Sequence, residues 1–247
     1  MNRYFIEVSY MGTGYAGFQI QDNAPTIQAE VERALEVFSK IKITLTGSSR
    51  TDTGVHAEQN YFHFDSEKEI HNEAAYNLNA LLPAGIAVRS IRKVATVRHC
   101  RFDALWRQYR YVVYPQKDPF MNARGYYFPY GLDMERMKKA AEVIKEYSDF
   151  SSFAKRNSQV KTWNCSVLDS YWEQAPGYCL YRVRANRFLR GMVKGLVGTM
   201  LKVGRKKISL EEFHDIIRKG DSSFVDFAVP GYGLYLEKVE YGDEYFD

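Results

Sequence analysis

The sequence predicts an α+β chain in two lobes, each an antiparallel sheet flanked by helices. Three observations carry this expectation. Between residues 4 and 94 the apolar periodicity runs strand, helix, strand, strand, helix, strand. Between about residues 107 and 239 that order returns loosely, although identity between the halves is too weak for a sequence repeat. No low-complexity linker separates them, which implies lobes at 1–100 and 101–247 that meet near residues 97–107 across a packed interface and a cleft.

In the first lobe, Tyr4, Ile6, Val8 and Tyr10 alternate with Phe5, Glu7 and Ser9, the period of a strand. Thr26 is placed to cap a helix with Ile27, Val31, Ala34, Leu35 and Phe38 on one face. Ile41 to Thr46 alternates again, and Gln59 to Phe64 reads as the strand after it. A helical pattern of Ala74, Ala75, Leu78, Leu81 and Leu82 stops at Pro83, because the residue before a proline is pushed out of helical geometry. Ile86 to Val94 is a further strand. This β-α-β-β-α-β order is the split βαβ arrangement of ferredoxin-like and RRM-like sheets.

In the second lobe, Tyr109, Tyr111 and Val113 share one face of a long strand. A helix from about Asp133 to Tyr147 turns Met137, Ala141 and Ile144 inward, and two strands surround Ala175-Pro176-Gly177. A long helix is expected from about Phe188 to Val203. A shorter one opens on Ser209-x-x-Glu212, the capping-box pattern, and Leu234 to Val239 closes the chain as a strand.

Composition narrows the function classes. Hydrophobic residues are 45% of the 247, enough for a substantial core and evidence against disorder. A net charge of +4 conceals clustering: Arg182 to Lys207 holds nine Lys or Arg and no acid, and Arg89 to Arg101 holds five and none, surfaces that suit a polyanion. Tyrosines interleaved with arginines at Arg107, Tyr109, Arg110 and Tyr111 suit unstacked RNA bases, although tyrosine is also a good strand former. Cys100, Cys165 and Cys179 lack Cys-x-x-Cys spacing, which speaks against a disulfide scaffold or a structural zinc site. No apolar run is long enough to span a membrane, and Met1 leads almost directly into a strand, so a reducing cytoplasm is the expected compartment.

Several motifs are excluded by their context. Gly12-x-Gly14-x-x-Gly17 follows a strand, but Pro25 falls where a dinucleotide-binding helix should be in full course, so a glycine-rich surface loop is expected there. There is no Gly-Lys-Ser/Thr phosphate loop, no His-Glu-x-x-His or other ligand spacing that would suggest a metal, and no Gly-x-Ser-x-Gly elbow to support a serine hydrolase. Two features remain. The stretch from Gly47 to Ala57 joins two strands, has glycines at which it can turn, and sets a carboxylate, Asp52, two residues from a cation, Arg50. In the helix expected after Asn186, Arg187, Arg190 and Lys194 at i, i+3 and i+7 would form a basic stripe. Gly191, Gly195 and Gly198 would line a neighbouring stripe that something must approach closely. One of those cations would project into the cleft and meet Asp52.

Arg50-Thr51-Asp52-x-Gly54-Val55-His56-Ala57 resembles the signature loop of the TruA family of tRNA pseudouridine synthases. Matches continue in order through Tyr15-Ala16-Gly17-Phe18-Gln19-Ile20-Gln21, Leu78-Asn79-Ala80-Leu81-Leu82-Pro83, Arg101-Phe102-Asp103-Ala104, Tyr109-Arg110-Tyr111, Asn186-x-Phe188-Leu189-x-x-Met192-Val193 and Gly233-Leu234-Tyr235-Leu236. The resemblance implies the pseudouridine synthase fold. It also implies a homodimeric isomerase that converts uridine to pseudouridine at positions 38–40 of the tRNA anticodon stem-loop without metal or organic cofactor. It implies Asp52 as the catalytic carboxylate, acting ionised on a flipped-out uridine. It further implies Tyr109 stacked on the target base, Lys194 paired with the aspartate, and Arg50 at the flipped nucleotide. Arg187 and Arg190 are candidates for the tRNA backbone. Departures from the family pattern are Ser49 for glycine, Thr53 for alanine, Phe18 for tryptophan and Lys194 for arginine, the last keeping charge but losing bidentate geometry. Two other readings use the same residues: a non-catalytic RNA-binding module, and a nucleoside or glycoside hydrolase, which needs a second carboxylate that the motifs lack.

Overall fold

The computed structural model describes residues 1–155, 160–242 and 245–246, with nine strands and five α-helices among them. The chain divides into two compact units, Met1–Leu105 with Tyr235–Asp247, and Trp106–Leu234. A division at residue 100 leaves the closing strand to the second lobe; in the structure its Tyr235 and Leu236 pair with His56 and Ala57 of the first unit.

The first unit contains β1 (Asn2–Tyr10), α1 (Ile27–Ser39), β2 (Thr46–Gly47), β3 (His56–Ser66), α2 (Ala74–Leu81), β4 (Ile86–Val94) and, at the end of the chain, β9 (Leu234–Glu240). Strands β4, β1 and β3 are neighbours in that order and antiparallel, with β2 antiparallel on β3, the split βαβ arrangement that the periodicity predicts. Strand β9 adds to β3 in parallel through His56↔Tyr235 and Ala57↔Leu236. Tyr4, Ile6, Val8 and Tyr10 of β1 are buried, as are Ile27, Val31, Ala34 and Leu35 of α1. The opposite face of β1 at Phe5 is covered by the rings of Tyr241, Tyr245 and Phe246, 5.6–5.9 Å away.

The strand expected over Ile41 to Thr46 shrinks to Thr46–Gly47. Its side-chain alternation is real, with Ile43 and Leu45 buried, but its backbone bonds go elsewhere. Leu45 N–H donates to Glu32 Oε1 at 2.8 Å and Leu45 O accepts from Gln28 Nε2 at 3.0 Å, so α1 side chains replace a sheet ladder.

The second unit contains β5 (Trp106–Tyr114), β6 (Tyr126–Tyr127), α3 (Met134–Ile144), β7 (Val167–Ala175), β8 (Tyr178–Ala185), α4 (Met192–Gly204) and α5 (Leu210–Arg218). Strands β5, β8 and β7 form an antiparallel sheet, β6 adds in parallel to β5, and the β7–β8 turn puts Gly177 at φ +83°. Helix α3 ends at Ile144, three residues short of the expectation, while Ser209 and Glu212 close a full capping box on α5. Helix α4 starts at Met192 instead of Phe188. Asn186 is tied to Ser166 by two hydrogen bonds, Arg190 O accepts from Lys155 N–H at 2.9 Å, and Gly191 turns the chain at φ +77° before the helix can begin. The close approach expected at the glycines occurs at Gly198, where an added Cβ would lie 2.1 Å from Asp226 O.

Candidate active site

The loop between β2 and β3 presents its residues alternately. Ser49 and Thr51 are buried at 6% and 7% exposure, whereas Arg50 is exposed and Asp52 half-buried, so the cation and the carboxylate both reach outward. Three backbone hydrogen bonds hold the loop. Ser48 N–H donates to Tyr61 O at 2.7 Å, Phe18 N–H donates to Thr51 O at 3.0 Å, and Val55 N–H closes a turn on Asp52 O at 3.1 Å, with Gly54 at φ +76° inside it. Beneath the loop, Asn60 of β3 donates from Nδ2 to Ser49 O at 3.0 Å and to Tyr10 Oη at 3.1 Å, and Tyr10 Oη lies 2.9 Å from Thr51 Oγ1. Burial pushes the Tyr10 phenol up to about 12, so it keeps its proton.

The Gly12–Gly17 segment braces this loop. An added Cβ at Gly12 would lie 2.0 Å from Val55 O, and one at Gly17 would lie 2.9 Å from Thr51 O. Gly12 N–H donates to His56 Nδ1 at 2.9 Å, which leaves the His56 proton on Nε2. The N–H groups of Ile27 and Gln28 at the start of α1 go to Gly17 O and Phe18 O, which accounts for them without a phosphate. The departures at Thr53 and Phe18 have local partners: Thr53 Oγ1 donates to Ala16 O at 3.1 Å, and Phe18 stacks on Phe62 at 4.9 Å over Gly47. The Ser48 and Ser49 hydroxyls are buried and have no hydrogen-bond partner.

Arg50 and Asp52 thus belong to the first unit, and Tyr109, Lys194, Arg187 and Arg190 to the second. Tyr109 sits on β5, with the edge of Phe188 against its ring at 5.0 Å and 81°. Lys194 is the third residue of α4 and half-buried. The basic stripe is corrected by the late helix start: Arg187 and Arg190 lie in the preceding loop, half-buried and exposed, and share no helix face with Lys194. Much of the surrounding basic run is neutralised locally, with Arg182 on Glu173, Arg184 on Asp169, Lys202 on Asp226 and Lys206 on Asp133. Tyr10, Asn60 and Phe188 are the supporting residues that sequence reasoning missed as such; their partners lie up to 79 positions away.

Among the described residues, His63, His99 and Cys100 form the one group whose ligand atoms lie within 4.8 Å of one another. Hydrogen bonds engage all three residues. His99 Nδ1 accepts from Arg101 N–H at 3.1 Å, His63 Nδ1 lies 3.1 Å from Cys100 Sγ, and that thiol donates to Thr46 O at 3.1 Å. Burial pushes the Cys165 and Cys179 thiols up to about 11, so neither is a ready nucleophile.

Comparison with known proteins assigns this architecture to a class, the isomerases that modify tRNA. A family model described as tRNA pseudouridine synthase matches residues 6–103 and 147–242, which include the whole Asp52 loop with its braces and Lys194, while Tyr109 lies between the two stretches. The chain belongs to the tRNA pseudouridine synthase family. It is 41% identical over 248 residues to the tRNA pseudouridine synthase A of Parabacteroides distasonis, covering 100% of this chain and 98% of the relative. Identity is 40% over 251 residues to that of Porphyromonas gingivalis, covering 100% of both, and 35% over 240 residues to that of Staphylococcus saprophyticus, covering 96% and 90%. No helix among the described residues is long and apolar enough to cross a membrane.

Proposed function

We propose that this chain isomerises uridine to pseudouridine at positions 38–40 of the tRNA anticodon stem-loop, as a cytoplasmic homodimer without metal or organic cofactor. The reaction breaks the N1–C1′ bond, turns the uracil and joins C5 to C1′. The proton lost from C5 is matched by the one gained at N1, so substrate and product are isomers and no co-reactant is consumed. The uridine must first leave the stack, which costs a few kcal/mol. Tyr109 offers the extruded uracil a flat face, and such a stacking contact contributes about 1–3 kcal/mol. Phe188 holds that ring edge-on. Asp52 acts as an ionised carboxylate, either attacking carbon or removing a ribose proton as the base detaches. Lys194 is the cation that pairs with it, Arg50 meets the flipped nucleotide, and Arg187 and Arg190 take backbone phosphates.

The observation that carries this reading is the outward pair Arg50 and Asp52 on a loop whose intervening residue is pinned from below, in a chain of this family. The test is Asp52→Asn with unmodified tRNA. Pseudouridine formation is expected to vanish while tRNA binding stays near the wild-type level. Formation at the wild-type rate would show that the role is wrong. Free uracil released by the unaltered enzyme would point to a hydrolase, and binding without any pseudouridine to an RNA-binding module.

A further inference from the structure

We infer that Tyr10 is a positioning residue for Asp52, acting through Thr51. The inference rests on the reading of Asp52 given above and assigns a role to a side chain on a different strand. Tyr10 ends β1 at 4% exposure. Its oxygen accepts from Asn60 Nδ2 at 3.1 Å, and its proton, buried away from water, has Thr51 Oγ1 at 2.9 Å to go to. Asn60 is fully used: its second N–H goes to Ser49 O, and its Oδ1 accepts from Tyr61 N–H at 3.0 Å. Asn60 of β3 therefore fixes both buried loop residues beside Arg50, Ser49 directly and Thr51 through Tyr10.

Residue 51 is the pivot. Its carbonyl is held by Phe18 N–H and its side chain by Tyr10, while the next carbonyl, that of Asp52, is held by Val55 N–H. With both flanking peptides anchored, the carboxylate of Asp52 keeps only its own side-chain rotations. An ordinary core tyrosine would need its ring alone; here the hydroxyl links two segments 41 and 50 residues away. Removing that hydroxyl leaves Asn60 Nδ2 and Thr51 Oγ1 short of a partner in a dry site, and the loop must move or admit water to satisfy them.

The test is a double-mutant cycle with Tyr10→Phe and Thr51→Val, read as the single-turnover rate of pseudouridine formation at saturating tRNA, alongside tRNA affinity and a thermal melt. Each single variant is expected to lose at least about tenfold in rate, because a displacement of 1 Å at a reacting group costs up to about 10²-fold. Affinity for tRNA stays within about twofold, since no tRNA contact is removed. The double variant falls no further than the worse single one, because both cut the same link. Thr51→Ser restores most of what Thr51→Val loses. A folded Tyr10→Phe enzyme at the wild-type rate, losses that multiply, or a loss confined to affinity would overturn the inference. If Tyr10→Phe does not fold, the Thr51→Val and Thr51→Ser pair decides it alone. Asp52→Asn run in parallel separates the two claims. Wild-type turnover in that variant removes the role of Asp52 itself. A dead Asp52→Asn beside a fully active Tyr10→Phe removes only the tether.

Discussion

Replacing Gly12 by alanine tests whether the glycine-rich segment braces the Asp52 loop. The added Cβ would lie 2.0 Å from Val55 O, 2.6 Å from Val55 C and 3.0 Å from Gly54 C, all backbone atoms. Ordinary contact begins at 3.4 Å, so one wall must retreat by about 1.4 Å. If the Gly12 segment yields, the bond from Gly12 N–H to His56 Nδ1 lengthens from 2.9 Å and is lost. If the loop yields, the turn that Val55 N–H closes on Asp52 O opens. Overpacking costs about 1–3 kcal/mol and a lost buried hydrogen bond about 1 kcal/mol, so the fold should lose about 2–4 kcal/mol. A loop displaced by about 1 Å should lower the rate by up to about 10²-fold in the folded fraction. Gly14→Ala is the matched control. Gly14 has φ +88° with no atom within 4 Å of an added Cβ, so the substitution strains only the backbone, by about 1–2 kcal/mol, and leaves the rate of folded enzyme within about twofold. Urea unfolding gives the stability, and tritium release from C5-labelled tRNA gives the rate. A Gly12→Ala enzyme with unaltered stability and rate would refute the bracing, as would a Gly14→Ala enzyme that is the slower of the two.

Two further outcomes follow from buried groups. Burial, helped by the charges of His99 and Arg3, pulls the His63 imidazole down from 6.5 to about 4, so below pH 6.5 the unfolded chain takes up a proton that the folded chain refuses. Stability should be full above pH 6.5 and fall by up to about 1.4 kcal/mol per pH unit toward pH 4. In His63→Gln that slope should flatten in a denaturant series, and an unchanged slope would show that another group causes it. Gly198→Ala would set a Cβ 2.1 Å from Asp226 O and strain the bond from Asp226 N–H to Thr199 Oγ1. The gain in helix propensity, about 1 kcal/mol, is outweighed by overpacking of about 1–3 kcal/mol, so the urea midpoint should drop; a midpoint at or above wild type would contradict the close approach.

Local signals were legible wherever backbone and side chains obey one rule. β1, β4, the Thr26 cap and the Ser209–Glu212 capping box stand where periodicity and capping chemistry put them, because each depends on residues within a turn or a pleat of one another. The misreadings came where polar groups find distant partners. The alternation at Ile43 and Leu45 correctly marks a buried edge, yet α1 takes the backbone bonds through Gln28 and Glu32 and the ladder never forms. Residues 188–191 have helical spacing, but Arg190 O is claimed by Lys155 and Asn186 by Ser166, and Gly191 is spent on a left-handed turn instead of a helix face.

At the site, too, a residue is legible only where its reason lies close to it in the chain. Arg50 and Asp52 declare themselves as opposite charges two residues apart, on a short loop with a glycine at which it can turn. Tyr10 and Asn60 do not declare themselves, because a tyrosine in a strand is already explained by its ring. What marks them is a mismatch visible only in space: a phenol and an amide on inward-facing positions, each of which must find a partner or cost the fold a buried unsatisfied group. Their partners turn out to be the two loop residues that flank Arg50. Tyr10 and Asn60 bond each other between neighbouring strands, and the hydrogen-bonding capacity left over goes to the loop they hold.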